Sequence, residues 1–402
     1  MLKRPSDHPA GATRDVATWT RLVSSDAATL RVAVAEIDPG SAADLARLRR
    51  DWPADLVHAA IELHAARRRA ASKFPNAARL VADVVGVEQA TDHVVATHKA
   101  ARFAAADGAS TIIDLCCGIG GDAMALAEVA EVEGVDRDPL RAWMAARNAG
   151  CTTRCADVES IEIAPSPLVH LDPARRVETA DGVRRRRHRL ADYQPGPAFI
   201  QSVVSCGAGG AVKLGPGVDF AAVSSDRVEF ELISHAGRLV QAVLWFGTLA
   251  RSPGARTATR LPDGTTITGG PKAAFVPPAP DLGERLFVPD PALERAQLVG
   301  LVAASLDLRE LSPGLGLLTG AANASSPWLH AYDVVASMPW RPRRVRAWLA
   351  ANEGGIVTVR TRGGAVDAEA AQHELRGGGA NPYTVFVLRL GKKRVAIVTR
   401  PA

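Results

Sequence analysis

Aromatic residues are scarce in this chain, at 5% of 402 residues, and cysteine is scarcer still, with five. Two of the cysteines, Cys116 and Cys117, are adjacent. That is a poor basis for a disulfide framework and fits a reducing compartment, so a cytoplasmic location is expected. Cys151 and Cys155 lack the paired CxxC spacing and nearby histidines of a zinc site, so no metal is expected. No apolar run approaches the roughly 18 uninterrupted residues of a membrane span. The basic start, Met1-Leu2-Lys3-Arg4-Pro5, has no apolar segment behind it, so no secretory signal is visible and no membrane partner is expected. No Gly-Lys-Ser/Thr follows a glycine turn, which excludes a P-loop.

What is present is a soluble globular composition, 47% apolar and 23% charged, on a chain long enough for two or three domains. The net charge of +5 permits nucleic-acid binding without establishing it. Residues 1–100 read as a helical region, with helical apolar spacing around Leu45–Leu48 and Leu56–Leu63. From Ser110 short β-rich runs alternate with helical stretches, the pattern of parallel strands joined by crossover helices. Strands are expected at Thr111–Leu115, Val132–Asp136, Val169–Asp172 and Ala211–Leu214. A helix is expected over Pro139–Ala149, ended by Gly150. Val228–Ile233 and Leu239–Phe246 read as an antiparallel hairpin. The segment Ala274-Phe275-Val276-Pro277-Pro278-Ala279-Pro280 is the best linker candidate. The expected division is therefore a helical region over 1–100, a Rossmann-like α/β domain over 101–275 and an α+β module over 281–402.

The chemistry concentrates at Asp114-Leu115-Cys116-Cys117-Gly118-Ile119-Gly120-Gly121-Asp122, a glycine turn between strand and helix at the carboxyl edge of a parallel sheet. Its glycines, Gly118 and Gly120 among them, allow close backbone approach to a ligand. A dinucleotide site would seat a pyrophosphate there, but Asp114 and Asp122 repel one. Those carboxylates suit the cationic amino group of a methionine tail, as in S-adenosylmethionine (SAM). About twenty residues on, Asp136, beside Arg137, ends the second strand, where a carboxylate can accept from both ribose hydroxyls. Asp157, after a third short strand, is placed to receive an adenine amino group. Singly, each aspartate reads more simply as a helix cap; the ordered set is what points to a cofactor.

Val169-His170-Leu171-Asp172-Pro173-Ala174-Arg175-Arg176 ends the fourth strand. Methyl transfer from a SAM sulfonium would be a direct displacement, which would leave the protein the task of positioning the nucleophile and excluding water. Asp172 with a following backbone carbonyl can hold both hydrogens of an exocyclic amine, and Pro173 stiffens the loop. An ordinary strand-ending Asp-Pro turn is the plain alternative. Arg175, Arg176 and the run Arg184-Arg185-Arg186-Arg187-His188-Arg189 are candidate phosphate contacts or a solvated face. Lys213, in Lys213-Leu214-Gly215-Pro216-Gly217, is a further candidate substrate contact.

The Asp114–Asp122 motif with Asp136, preceded by the Thr91-containing segment 88–102, resembles the trimethylguanosine-synthase-like branch of class I methyltransferases, with its D-x-x-C-G-x-G-G signature. A closer resemblance, over roughly residues 70 to 402, is to bacterial class I methyltransferases with a C-terminal THUMP-like domain. It is carried by Lys73-Phe74-Pro75, Glu88-Gln89-Ala90-Thr91, Leu171–Arg176, Lys213–Gly217, Leu286–Pro291 and Arg394–Val398. The resemblance implies a Rossmann-like fold with SAM held by Asp114, Cys116, Gly118, Gly120, Asp122, Asp136, Arg137 and Asp157. It also implies amino-group chemistry at Asp172 and Pro173, with Arg175, Arg176 and Lys213 toward the substrate. The synthase relatives carry Pro-Pro-Trp at the catalytic loop, whereas this chain has Pro173-Ala174-Arg175, so cap-guanosine specificity does not carry over. THUMP domains accompany RNA-modifying enzymes, which makes RNA the expected partner by fold-level analogy. A small-molecule or protein acceptor, and a non-catalytic RNA-binding protein with a vestigial fold, stand as the alternatives.

Overall fold

The computed structural model describes residues 15–106, 111–164, 167–175, 177–180, 183–186, 190–220, 225–270 and 275–402. They form two compact units: Met1–Phe230 with Gln241–Gly254, and Glu231–Val240 with Ala255–Ala402.

The first unit begins with six helices: α1 (Val16–Val23), α2 (Ala28–Ala33), α3 (Ala42–Asp51), α4 (Ala54–Ala70), α5 (Val84–Gln89) and α6 (His93–Ala104). In α4 the buried positions Leu56, Val57, Ala59, Ala60, Leu63, Ala66 and Ala70 recur at helical spacing. With Trp19, Leu22 and Leu30 they share one core with Ile119 of the turn after the first strand of the sheet and with Leu140 and Met144 of the helix Pro139–Ala149, so the helical region packs against the α/β part of this unit.

Four parallel strands follow: β1 (Thr111–Leu115), β2 (Glu131–Asp136), β3 (Thr152–Cys155) and β4 (Leu168–Leu171). Between them run the short helix α7 (Ala123–Leu126) and α8 (Pro139–Ala149). Local chemistry sets the ends of α8. Asp138 caps it by accepting from the Leu140 and Arg141 N–H groups, Pro139 occupies the first turn, and Gly150 closes it at φ 64°. All four residues of β4 are buried, as in a central parallel strand covered on both faces. The strand order is β3–β2–β1–β4, continuing through Gly209–Leu214 to the antiparallel Arg238–Gly247. From β1 the chain builds outward through β2 and β3, then returns to the other side of β1 as β4. That reversal opens a crevice at the carboxyl ends of β1 and β4, the usual ligand position in such sheets. The rear of this unit is held by Arg102, which stacks 4.3 Å from the Trp245 ring, pairs with Glu229 and donates from Nε to the Leu249 carbonyl at 2.8 Å.

The second unit carries a seven-stranded sheet in the order Arg309–Glu310, Leu318–Gly320, Arg285–Pro289, Leu329–Pro339, Lys393–Pro401, Asn381–Leu390, Gly354–Arg362. Its pairs are antiparallel except the last, which is parallel and joined through the helix Ala368–Leu375. Separate apolar clusters hold it, one around Leu349, Val385 and Val398, another around Leu286, Phe386 and Ile397. Of the expected linker, Ala274 lies outside the described residues. The Ala279 N–H donates to the Glu310 carbonyl at 2.7 Å, so this stretch is tied to the second unit's sheet edge.

Candidate active site

The glycine turn leaves β1 with positive φ at Cys116 (61°), Gly118 (57°) and Gly120 (85°). A Cβ at Gly120 would sit 3.1 Å from the Ala145 Cα of α8, so glycine is required there for both conformation and space. A Cβ at Gly118 would meet nothing within 4 Å, so that residue faces open space. Asp136, at the end of β2, accepts from Gly118 N–H through Oδ2 and from Asp138 N–H through Oδ1, both at 2.9 Å. Burial pushes its carboxyl above the usual range, and the two N–H groups offset part of that. Each oxygen keeps a lone pair for a further donor.

Cys116, Asp136, Arg137 and Asp157 line one cleft together with Val158, Ala174 and Pro195. Asp157 also caps the turn after β3, accepting from Glu159 N–H at 3.0 Å. The structure thus gathers the residues expected around ribose and adenine.

Asp114 and Asp122, expected beside them, are placed differently. Both are buried, and neither lines that cleft. Parallel pairing of β1 with β4 sets Asp114 directly opposite His170, and Asp114 Oδ1 lies 2.7 Å from His170 Nδ1. His170 Nε2 is 3.0 Å from Lys99 Nζ on α6, and Lys99 Nζ is 2.6 Å from Asp122 Oδ1. Thr91 Oγ1 donates to Asp122 Oδ2 at 2.6 Å. A lysine ammonium only donates, so Nε2 accepts and Nδ1 carries the proton that Asp114 receives. Burial alone would raise the Asp122 carboxyl; the charge of Lys99, 2.6 Å away, overrides it and holds Asp122 well below the usual carboxylate range. Asp114 is raised, chiefly by burial, and its Oδ2 is buried without a hydrogen-bond partner.

Sequence reasoning missed Lys99, Thr91 and His170 as members of this network. One signal was available: a histidine within an otherwise apolar strand run.

Asp172 follows β4, and its backbone N–H donates to the Leu115 carbonyl at 3.1 Å, holding the loop to the end of β1. Its side chain is half-buried and accepts from Lys213 Nζ at 2.6 Å. Lys213 is therefore the partner of Asp172 in this structure. Pro173 is buried. The next two residues, Ala174 and Arg175, pair antiparallel with Tyr193–Gln194, and the Tyr193 hydroxyl accepts from Gly215 N–H at 2.7 Å. Only the backbone of Arg175 is described, and Arg176 and residues 187–189 lie outside the described residues. Lys73 donates from Nζ to the carbonyls of Val87 (2.8 Å), Glu88 (3.2 Å) and Ala90 (3.2 Å), fixing the segment that carries Thr91.

A parallel sheet with its crevice between β1 and β4, an acidic residue ending β2 and a glycine turn that approaches α8 define a class I methyltransferase. Two curated relatives from Mycobacterium tuberculosis, in strains CDC 1551 / Oshkosh and ATCC 25618 / H37Rv, are each described as an uncharacterized S-adenosylmethionine-dependent methyltransferase. Each is 33% identical over 353 residues, covering 84% of this chain and 94% of the relative. The chain belongs to this family of SAM-dependent methyltransferases, and SAM is its cofactor. A family model described as THUMP domain-like matches residues 329–401. The fold is also that of a crystal structure described as a "putative methyltransferase" from Porphyromonas gingivalis W83, at a TM-score of 0.75 and 18% identity, covering 93% of this chain and 98% of that one. Among the described residues no helix is long and apolar enough to cross a membrane, and no cluster of side chains could hold a metal ion.

Proposed function

We propose that this enzyme methylates an exocyclic amino nitrogen of an RNA base, with Asp172 holding the acceptor. The observation that carries this reading is the position of Asp172. Its loop is tied to Leu115 at the carboxyl end of β1, and its carboxylate is fixed by Lys213. SAM supplies an electrophilic methyl group on a sulfonium. The chain's own task is to present a nitrogen lone pair in line with it and to keep water out. Asp172 Oδ1 accepts one amine hydrogen, the loop carbonyl that follows accepts the other, and buried Pro173 limits how far that loop can move. The THUMP-like match favours RNA as the acceptor, and so does the arginine-rich segment 184–189. Transfer of labelled methyl from SAM to RNA taken from cells lacking this protein tests the reading. Label in RNA is expected; label only in protein or small molecules overturns it.

The residues present fit the cofactor. Asp136 retains acceptor capacity toward ribose hydroxyls, and Asp157 shares its cleft. Asp114 Oδ2 is a buried acceptor without a hydrogen-bond partner, which suits the donor of a cationic amino group. We assign Asp136 to the ribose, Asp157 to adenine and Asp114 to the methionine end. Asp122 acts beneath the site through Lys99. Asp136→Ala is expected to weaken SAM binding by about 1–3 kcal/mol, the cost of leaving hydroxyls unpaired, as read by calorimetry. Wild-type affinity in that variant would refute the ribose assignment.

A further inference from the structure

The first unit contains a second cavity, of about 800 Å³, which shares no lining residue with the cleft around Asp136. It lies among α2, α4, the segment 74–81, α7 and the C-terminal end of α8. Because α8 runs from the end of β2 to the start of β3, Arg147 and Asn148 sit at the opposite end of that helix from Asp136.

Four arginines converge on this cavity: Arg31, Arg67, Arg79 and Arg147. Arg31 and Arg67 are half-buried, while Arg79 and Arg147 are exposed at the rim. Among the described residues none of the four is ion-paired with a carboxylate. Glu128 is the one carboxylate in the lining, and it is exposed. Arg67 donates from Nε to the Leu80 carbonyl at 2.9 Å, which orients its fork; neither Nη has a hydrogen-bond partner among the described residues. Arg31 is braced through Nη1 on the carbonyls of Leu22 and Ser24. Burial, and then the charge of Arg31, pull the Arg67 guanidinium below its ordinary range. Arg147 is steadied over the Trp143 ring at 5.3 Å. Holding like charges together in a partly desolvated cavity is unfavourable without an anion, and guanidinium forks match phosphate oxygens.

We propose that this cavity is a binding site for successive phosphates of the RNA backbone, separate from the methyl-transfer cleft. This rests on RNA being the acceptor. A run of phosphodiesters carries an anion for the half-buried pair and another for the exposed rim pair on one chain, whereas a small free anion brings a single phosphate to four guanidinium groups. Nucleic acid thus fits the whole arrangement.

The test compares the full-length protein with the double variant Arg79→Glu/Arg147→Glu, whose substituted side chains are exposed. Binding of a fluorescein-labelled 20-nucleotide RNA is followed by anisotropy at several salt concentrations, and SAM affinity by calorimetry. The variant is expected to bind RNA about tenfold more weakly at low salt. Its salt slope should be shallower by about 1.4, the value for two lost single-strand phosphate contacts. Unchanged SAM affinity would show that the fold is intact. Equal RNA affinity and slope in the two proteins overturn the proposal even if RNA is methylated. Arginine-dependent RNA binding without methyl transfer to RNA supports the cavity and removes only the acceptor assignment. Tight binding of inorganic pyrophosphate by the wild type, with RNA affinity unaffected by the variant, overturns it in favour of a free phosphate ligand.

Discussion

Asp172→Asn is expected to lower the methyl-transfer rate by at least about 100-fold while SAM affinity stays within a factor of three. Asparagine matches aspartate in shape, but it carries one acceptor oxygen and an NH₂ that only donates. Lys213 Nζ, 2.6 Å from Asp172 Oδ2 in the wild type, is itself donor-only and will claim the amide oxygen. The NH₂ then faces the acceptor amine, donor against donor, where a carboxylate oxygen was needed. Losing a hydrogen bond to a charged group costs about 1.5–3 kcal/mol. Turning a lone pair away from the reacting methyl adds to that, since misplacement of about 1 Å can cost about 100-fold. Single-turnover transfer of labelled methyl to RNA measures the effect, with calorimetry of SAM binding alongside. A variant retaining a third or more of wild-type activity would remove Asp172 from the chemistry. Asp172→Glu separates charge from placement. It keeps the carboxylate but moves it by one methylene, so it should also be impaired although ionised.

The strands and α8 were legible because their determinants are local. Asp138, Pro139 and Gly150 spell both ends of α8 within a short stretch, and the run Leu168–Leu171, apolar but for His170, is too short for a helix and reads as a covered strand. The strand expected over Val169–Asp172 ends one residue earlier, at Leu171, which leaves Asp172 free to project at the sheet edge. The cleft around Asp136 was legible in part. Asp136 ends β2 and Asp157 follows the neighbouring β3, so the two had to share an edge. Asp114 and Asp122 lie in the same motif, yet they turn into the protein, because their partners come from far away in sequence. His170 is 56 residues from Asp114, and Thr91 is 31 residues from Asp122. Nothing in the spacing of the glycine turn shows that α6 will deliver an ammonium beneath it. The arginine cavity was invisible for the same reason: Arg31, Arg67, Arg79 and Arg147 sit on four separate elements, each with an ordinary solvated pattern.

That long-range network makes the second large prediction a matter of stability. Lys99→Met should destabilise the first unit by about 3–5 kcal/mol, because it leaves Asp122 as a buried carboxylate without its cation. Lys99 and Asp122 are 1% and 6% exposed, so water cannot take over the missing role. The double variant Lys99→Met/Asp122→Leu should recover much of the loss, since replacing both charges removes the orphan. Urea unfolding followed by the tryptophans of the first unit measures both, and a Lys99→Met protein within about 1 kcal/mol of wild type would sink the idea. The pH dependence follows from the direction of the shift. Asp122 is held below its unfolded value, so it contributes stability above about pH 4, lost as pH falls through its lower folded value. Without Lys99 the buried carboxyl takes up a proton more readily, so the gap between wild type and Lys99→Met should be widest near neutrality and should narrow in acid. Asp114, raised by burial, works in the opposite sense, favouring the fold at low pH, but it is present in both proteins. A gap that widened on acidification would mean that Lys99 holds His170 and Asp114 more than it holds Asp122.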